Sequence, residues 1–167
     1  MWNFLIKVSL IKRRIRFTSG NLMKWGDCKN GVRDFVNGNK VSFKKVSKVD
    51  DFYDNFWLYL DLIFTYSGTI SLYRETQSVV KNEDLKVGDI LITAGSPGHV
   101  VLISGACDNK NGDRLFLITE GFMPTQLIHL LKNPYQNDIS PWYSFDVNSL
   151  KTNTARYSFS PTDFRKF

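Results

Sequence analysis

At 167 residues, 43% hydrophobic and 14% aromatic, the chain is long and apolar enough to bury a core. That excludes a disordered or low-complexity protein and predicts one folded domain over residues 1–167. The formal net charge of +6 is unevenly placed, since residues 1–48 hold 12 Lys and Arg against 2 acids and the remainder holds 10 against 14. A basic half of this kind reads first as a solvated face and second as a surface for an anionic polymer. Nucleic acid is the least favoured partner, because these Lys and Arg are not interleaved with a groove-reading motif. Two cysteines, Cys28 and Cys107, lack metal-ligand spacing and form no disulfide framework, so neither a metal nor a cofactor is expected.

In chain order, residues 1–11 are apolar, but Lys7 interrupts them and Lys12-Arg13-Arg14 follows them. That is the wrong order for a signal peptide, and the run falls short of the roughly 20 residues of a membrane span. As written, the chain reads as cytoplasmic by default, or as a cell-envelope protein if its native N-terminus is longer. Residues 12–18 alternate like an edge strand with Arg outward, and residues 19–48, rich in Gly, Asn and Lys, read as loops around a short hairpin containing Val41-Ser42-Phe43. Asp50-Asp51-Phe52 opens a helix running to about Tyr66. Its aromatic and aliphatic positions Phe52, Tyr53, Phe56, Trp57, Leu60, Ile63 and Phe64 repeat at helical spacing, predicting a core stripe. Ser67-Gly68 ends it, and Thr69 caps a short helix through Arg74-Glu75. From Gly88 onward the pattern becomes strands at 89–93, 99–105, 114–119 and 126–131. After Asn133-Pro134 the tail reads as mostly irregular, with the aromatics of 141–143 and 159–167 wrapping the core. Helices first and strands later predict an α+β fold, an antiparallel sheet with the long helix packed on it.

Ser96-Pro97-Gly98-His99 places one of only two histidines at the head of the apolar run 100–103. It reads as a type II turn, with Pro97 presetting φ at the second position and Gly98 supplying positive φ at the third. Imidazole titrates near neutrality, so a half-buried His99 aimed by such a turn onto a concave surface is a candidate general base. The alternative is a structural His bonded to a backbone carbonyl. If residues 108–113 form the next hairpin loop, Cys107 pairs with Arg114, Val101 lies opposite Glu120, and His99 lies opposite Phe122. His99 and Glu120 then sit diagonally on one face, where a carboxylate can orient an imidazole; a one-residue slip separates them. Glu120 ends an apolar run, so it stands either at an exposed strand end or buried with a partner. Gln126 is a second candidate orienter. Cys28 is the one upstream thiol, with Lys24 and Lys29 nearby to favour its thiolate, but it lies in a loop-like stretch without an activating helix. Cys107 and His129 read as structural, and a zinc pair with His99 would need ligands the sequence does not place.

Phe17-Thr18-Ser19-Gly20, Trp25 with Gly31 and Arg33, residues 64–69 (FTYSGT), 95–101 (GSPGHVV) and 122–126 (FMPTQ), Lys132-Asn133-Pro134 and Pro141-Trp142-Tyr143 together resemble an uncharacterised bacterial family, a domain of unknown function. The resemblance covers nearly the whole chain. That family is in turn distantly similar to the NlpC-type branch of papain-like cysteine peptidases. In that branch Gly-Asp, an apolar strand and a turn lead to the catalytic His; Gly88-Asp89 and His99 match the order. The resemblance implies hydrolysis of a peptide or acyl-type amide by Cys attack, with His99 as base and Glu120 or Gln126 as orienter. It also implies a helix opened by the nucleophilic Cys ahead of Phe17, and this chain starts after that helix. Cys28 falls in the variable stretch between Trp25 and Gly31 and does not align with the missing residue. The expectation is a truncated product or non-catalytic descendant, inactive as given, of a family whose members often carry export signals. The rival expectation is a non-enzymatic module that binds a peptide, acyl or anionic-polymer ligand.

Overall fold

The computed structural model describes residues 14–17, 19–50, 52–66, 68–121 and 127–167. Gln126 and the expected partner of His99, Phe122, lie outside them. The chain is α+β and falls into two compact units, one within Met1–Ser71 and the other within Leu72–Phe167.

In the first unit, β1 (Arg14–Arg16) pairs antiparallel with β2 (Leu22–Lys24), and its alternation buries Ile15 and, just beyond it, Phe17. Then come α1 (Trp25–Lys29), a hairpin of β3 (Val32–Asn37) and β4 (Lys40–Lys45), and α2 (Tyr53–Tyr66). Residues 19–48 thus hold more regular structure than their composition predicts. The overlooked signal was Asn37-Gly38 between alternating residues: Gly38, at φ +58, fills the first central position of a two-residue loop, where a II′ turn requires positive φ. Gly31 answers a closer constraint. Its carbonyl accepts the Val46 and Ser47 N–H groups, and a Cβ there would stand 2.2 Å from the Ser47 carbonyl oxygen.

Arg33 ties these pieces together, donating to the Cys28 carbonyl at 2.9 Å and to Oδ1 of buried Asn55 on α2 at 2.7 Å. The buried face of α2 is Phe56, Tyr59, Leu60 and Ile63, packed with Ile15, Phe17, Met23 and Cys28 of the same unit. The face expected to lie on the sheet is therefore occupied within the first unit's own core. Phe52, Tyr53 and Trp57, expected in the core, are 78%, 60% and 44% exposed, because the buried stripe is narrower than the aromatic run.

The short helix α3 (Thr69–Glu75) spans the boundary between the units. The second unit is built on a six-stranded antiparallel sheet of β5 (Gln77–Ser78), β6 (Ile90–Thr93), β7 (His99–Asp108), β8 (Arg114–Glu120), β9 (His129–Leu130) and β12 (Phe164–Lys166), in the order β5-β12-β6-β7-β8-β9. A small hairpin of β10 (Thr152–Asn153) and β11 (Ser158–Phe159) precedes β12. The tail is mostly irregular, as expected, but its last strand lies inside the sheet. Arg165 anchors it beside β5 by donating to Ser78 Oγ at 2.7 Å and to the Tyr73 carbonyl at 2.8 Å. Leu91, Val101, Ile103, Phe116, Ile118, Tyr143, Phe159 and Phe164 fill one core. Phe167, by contrast, is 53% exposed.

Two of the resembled motifs find structural roles in this unit. Buried Asn133 accepts the N–H groups of Tyr135 and Gln136 on Oδ1 and donates to the Trp142 carbonyl, closing the loop that carries Tyr143 against Phe116. Asp89 clamps the entry to β6 by accepting the Lys86 N–H at 2.9 Å. Burial raises its carboxyl above the ordinary value of 3.8, against the lowering effect of that bond. A carboxyl raised on folding contributes stability that is complete below its unfolded-state pKa and is lost as pH rises through the folded one. Asp89→Asn is therefore expected to match or exceed the wild type in chemical denaturation at pH 7, with the advantage vanishing below about pH 4.

Candidate functional site

β7 and β8 do not keep one register. Asp108 pairs with Arg114 and Cys107 with Leu115, one step away from the expected Cys107–Arg114 pairing, and this offset continues to Gly105 opposite Leu117. Ser104 is then left unpaired, and beyond it Ile103 faces Ile118 and Leu102 faces Thr119. This is a β-bulge, and it shifts the pairing by one residue. The shift matters because opposite residues share a face. Without it Leu102 would stand across from Glu120, and His99, an odd number of residues away, would point to the other side. With it, His99 and Glu120 return to the same face: His99 Nε2 lies 2.7 Å from Glu120 Oε2. Since a carboxylate only accepts, Nε2 carries the hydrogen.

The loop that leads to His99 differs from the expected turn. Ser96–Pro97 is cis, and Gly98 does not have the positive φ that a type II turn demands at its third position. His99 is also more covered than the half-buried, cleft-lining residue expected: its side chain is 8% exposed, and the Tyr157 ring stacks on it at 3.7 Å and 8°. Tyr157 is held by the β10–β11 turn, where the Thr154 N–H donates to its carbonyl at 2.7 Å and its own N–H donates back to Thr154 Oγ1.

Glu120 is the buried alternative of the two it was offered, with a side chain 1% exposed. Its Oε1 faces Arg156 Nε at 3.5 Å and His129 Nε2 at 3.7 Å, both on partly exposed side chains. His129 is half-buried and satisfied as expected, its Nδ1 donating to the Leu127 carbonyl, but its approach to Glu120 was missed. The signal was the pairing of Glu120 with His129 across β8 and β9. Nothing in the sequence pointed to Arg156 or Tyr157, which reach the site from the tail. Burial first, and the Glu120 charge after it, push the Tyr143 phenol up.

The thiols belong to other parts of the chain. Cys28 sits on α1, not on a loop, and is buried in the first unit; burial outweighs the Arg33 charge and pushes its thiol up to about 11. Lys24 and Lys29 do not offset that. Cys107 is eight residues down β7 from His99, roughly 26 Å along an extended strand. Both cysteines are free, and among the described residues no group of His, Cys, Asp or Glu could hold a metal ion. Among them, too, no helix is long and apolar enough to cross a membrane.

The family described as a domain of unknown function (4846) matches residues 8–166. No curated protein and no solved structure gives a match.

The bulge can be tested apart from the side chain that forms it. Ser104→Ala keeps the extra residue and removes only a 3.3 Å bond from Oγ to the Leu117 carbonyl, so a loss below about 1 kcal/mol is expected. Deleting Ser104 leaves Ile103 opposite Ile118 in a regular ladder, so the His99–Glu120 contact is expected to survive it. Inserting one alanine between Val100 and Val101 turns His99 to the other face, strips a buried Glu120 of its partner and is expected to cost about 3 kcal/mol or more in urea denaturation.

Proposed function

The chain belongs to the family of domains of unknown function (4846) over residues 8–166, and on the geometry of its second unit we propose that His99 and Glu120 are the base and its positioning residue in a hydrolase centre of the papain-like, NlpC type. The observation carrying this reading is the buried 2.7 Å contact between His99 Nε2 and Glu120 Oε2. Glu120 fixes the ring and stabilises the imidazolium that forms, and Nδ1 is the atom that would take a thiol proton and pass it to the leaving amine. The sulfur would attack the acyl carbon of a peptide or acyl-type amide, and water would release the acyl group from the thioester.

Neither thiol of this chain suits that attack. Cys107 is too far along β7, and Cys28, at about 11, holds its proton at neutral pH. The chain as given is therefore expected to be inactive, with the base half of the centre assembled under Tyr157. A thiol-reactive acylating probe should label the wild type slowly, lose its Cys28 signal in Cys28→Ala, and be indifferent to His99→Ala. Cys28 labelling that collapses in His99→Ala would reveal a working pair and overturn the inactive reading. The base role has its own measurement: nitrogen-15 spectra of the imidazole at pH 7.5 should show the Nε2–H tautomer, and a proton resting on Nδ1 would reject it.

A further inference from the structure

The first unit carries a groove that the His99 reading does not use. It has a volume of about 560 Å3, and among the described residues its lining includes Asn21, Phe35, Asn37, Asn39, Lys40 and Ser42 but no acidic one. The β3–β4 register sets Phe35 opposite Ser42 and Asn37 opposite Lys40, so these four share one face of the hairpin. Phe43 and Val32, from the other face, pack against the unit's core. Phe35 is 45% exposed, and Lys44 Nζ lies 5.2 Å from its ring centroid, which adds an ammonium at the Phe35 ring to that of Lys40 in the lining. Among the described residues, the carboxamides of Asn21, Asn37 and Asn39 spend no side-chain hydrogen bond on the protein.

We propose that this groove binds an acidic oligosaccharide, a short run of pyranose rings bearing carboxylates. The proposal stands independently of the His99 reading. Each carboxamide both donates and accepts, as does each sugar hydroxyl, so a polyol uses the full capacity of three amides and Ser42. A phosphodiester accepts only and would leave the three amide carbonyls unmatched. The apolar C–H face of a pyranose fits an exposed Phe35 ring, and the two ammonium groups match a carboxylate on the same or the next ring. Among the described residues of the lining, no acid opposes that attraction.

The test is titration of the full chain, followed by amide and aromatic NMR shifts, with tetragalacturonate, neutral maltotetraose and an octathymidylate strand. Tetragalacturonate is expected to shift Phe35, Asn37 and Asn39 saturably at concentrations up to the order of millimolar. Maltotetraose should bind about tenfold more weakly or less. Phe35→Ala and the exposed, nearly isosteric Asn39→Asp should each weaken tetragalacturonate about tenfold with unchanged melting temperature, while His99→Ala leaves it unaltered. Absence of saturable shifts, equal affinity for maltotetraose, or tighter binding of the oligonucleotide at the same residues would overturn the proposal.

Discussion

One unpaired residue governs the chemistry available to the second unit. A β-strand has a period of two, so every pairing register assigns each side chain irrevocably to one face of the sheet. Near the β7–β8 loop, the Asp108–Arg114 pairing gives Ala106 and Phe116 a common face with the core. At the far end, the core face must be that of Val101 and Ile103. These demands have opposite parity along β7, and Ser104 reconciles them by absorbing one residue without crossing the sheet. Glu120 and His99 meet as a consequence of packing rules that hold for the whole strand pair.

A carboxylate as deeply covered as Glu120 is tolerable only with partners, since removing its hydration costs several kcal/mol. Its partners arrive from three separate stretches of chain: His99 heads β7, His129 lies on β9, and Arg156 comes from the β10–β11 turn. No local segment could build this arrangement, so the cluster reports completion of the unit. Cys28 shows the opposite treatment of an ionisable group. Its sulfur is buried among Phe56, Tyr59 and other apolar side chains and remains a neutral packing atom, while its backbone carbonyl serves Arg33 and Asn55.

What could be read from the sequence follows the reach of each signal. α2, β6, β7 and β8 are long enough to show their periodicity, and they stand near their expected positions. The approach of His99 to Glu120 was reached through a loop one residue too long and a bulge that went unseen; the two errors cancel in parity. No pattern in residues 99–108 announces the bulge, because Ser104 and Gly105 are also ordinary strand-end residues. The two-residue strands β5, β10 and β11 carry too few positions for alternation to register. Arg156 and Tyr157 were invisible for a different reason: their role depends on tertiary placement of a turn with no chemistry of its own. The exposure of Phe52 and Trp57 marks the limit of helical periodicity, which locates a face but not its width.

The position of β12 bears on how the chain reaches this state. β5 and β6 belong to one sheet yet do not pair with each other; the strand that joins them is made some seventy residues later. Until it docks, β5 has no neighbour and β6 presents an open edge of unpaired N–H and C=O groups. During synthesis the β6–β7–β8 meander can form by local hairpins, but it must wait, edge exposed, for a non-local pairing of high contact order. Such an edge is a template for another chain. The second unit is thereby expected to be most prone to aggregation in its nearly complete state, and to profit most from a chaperone just before its final strand closes the sheet.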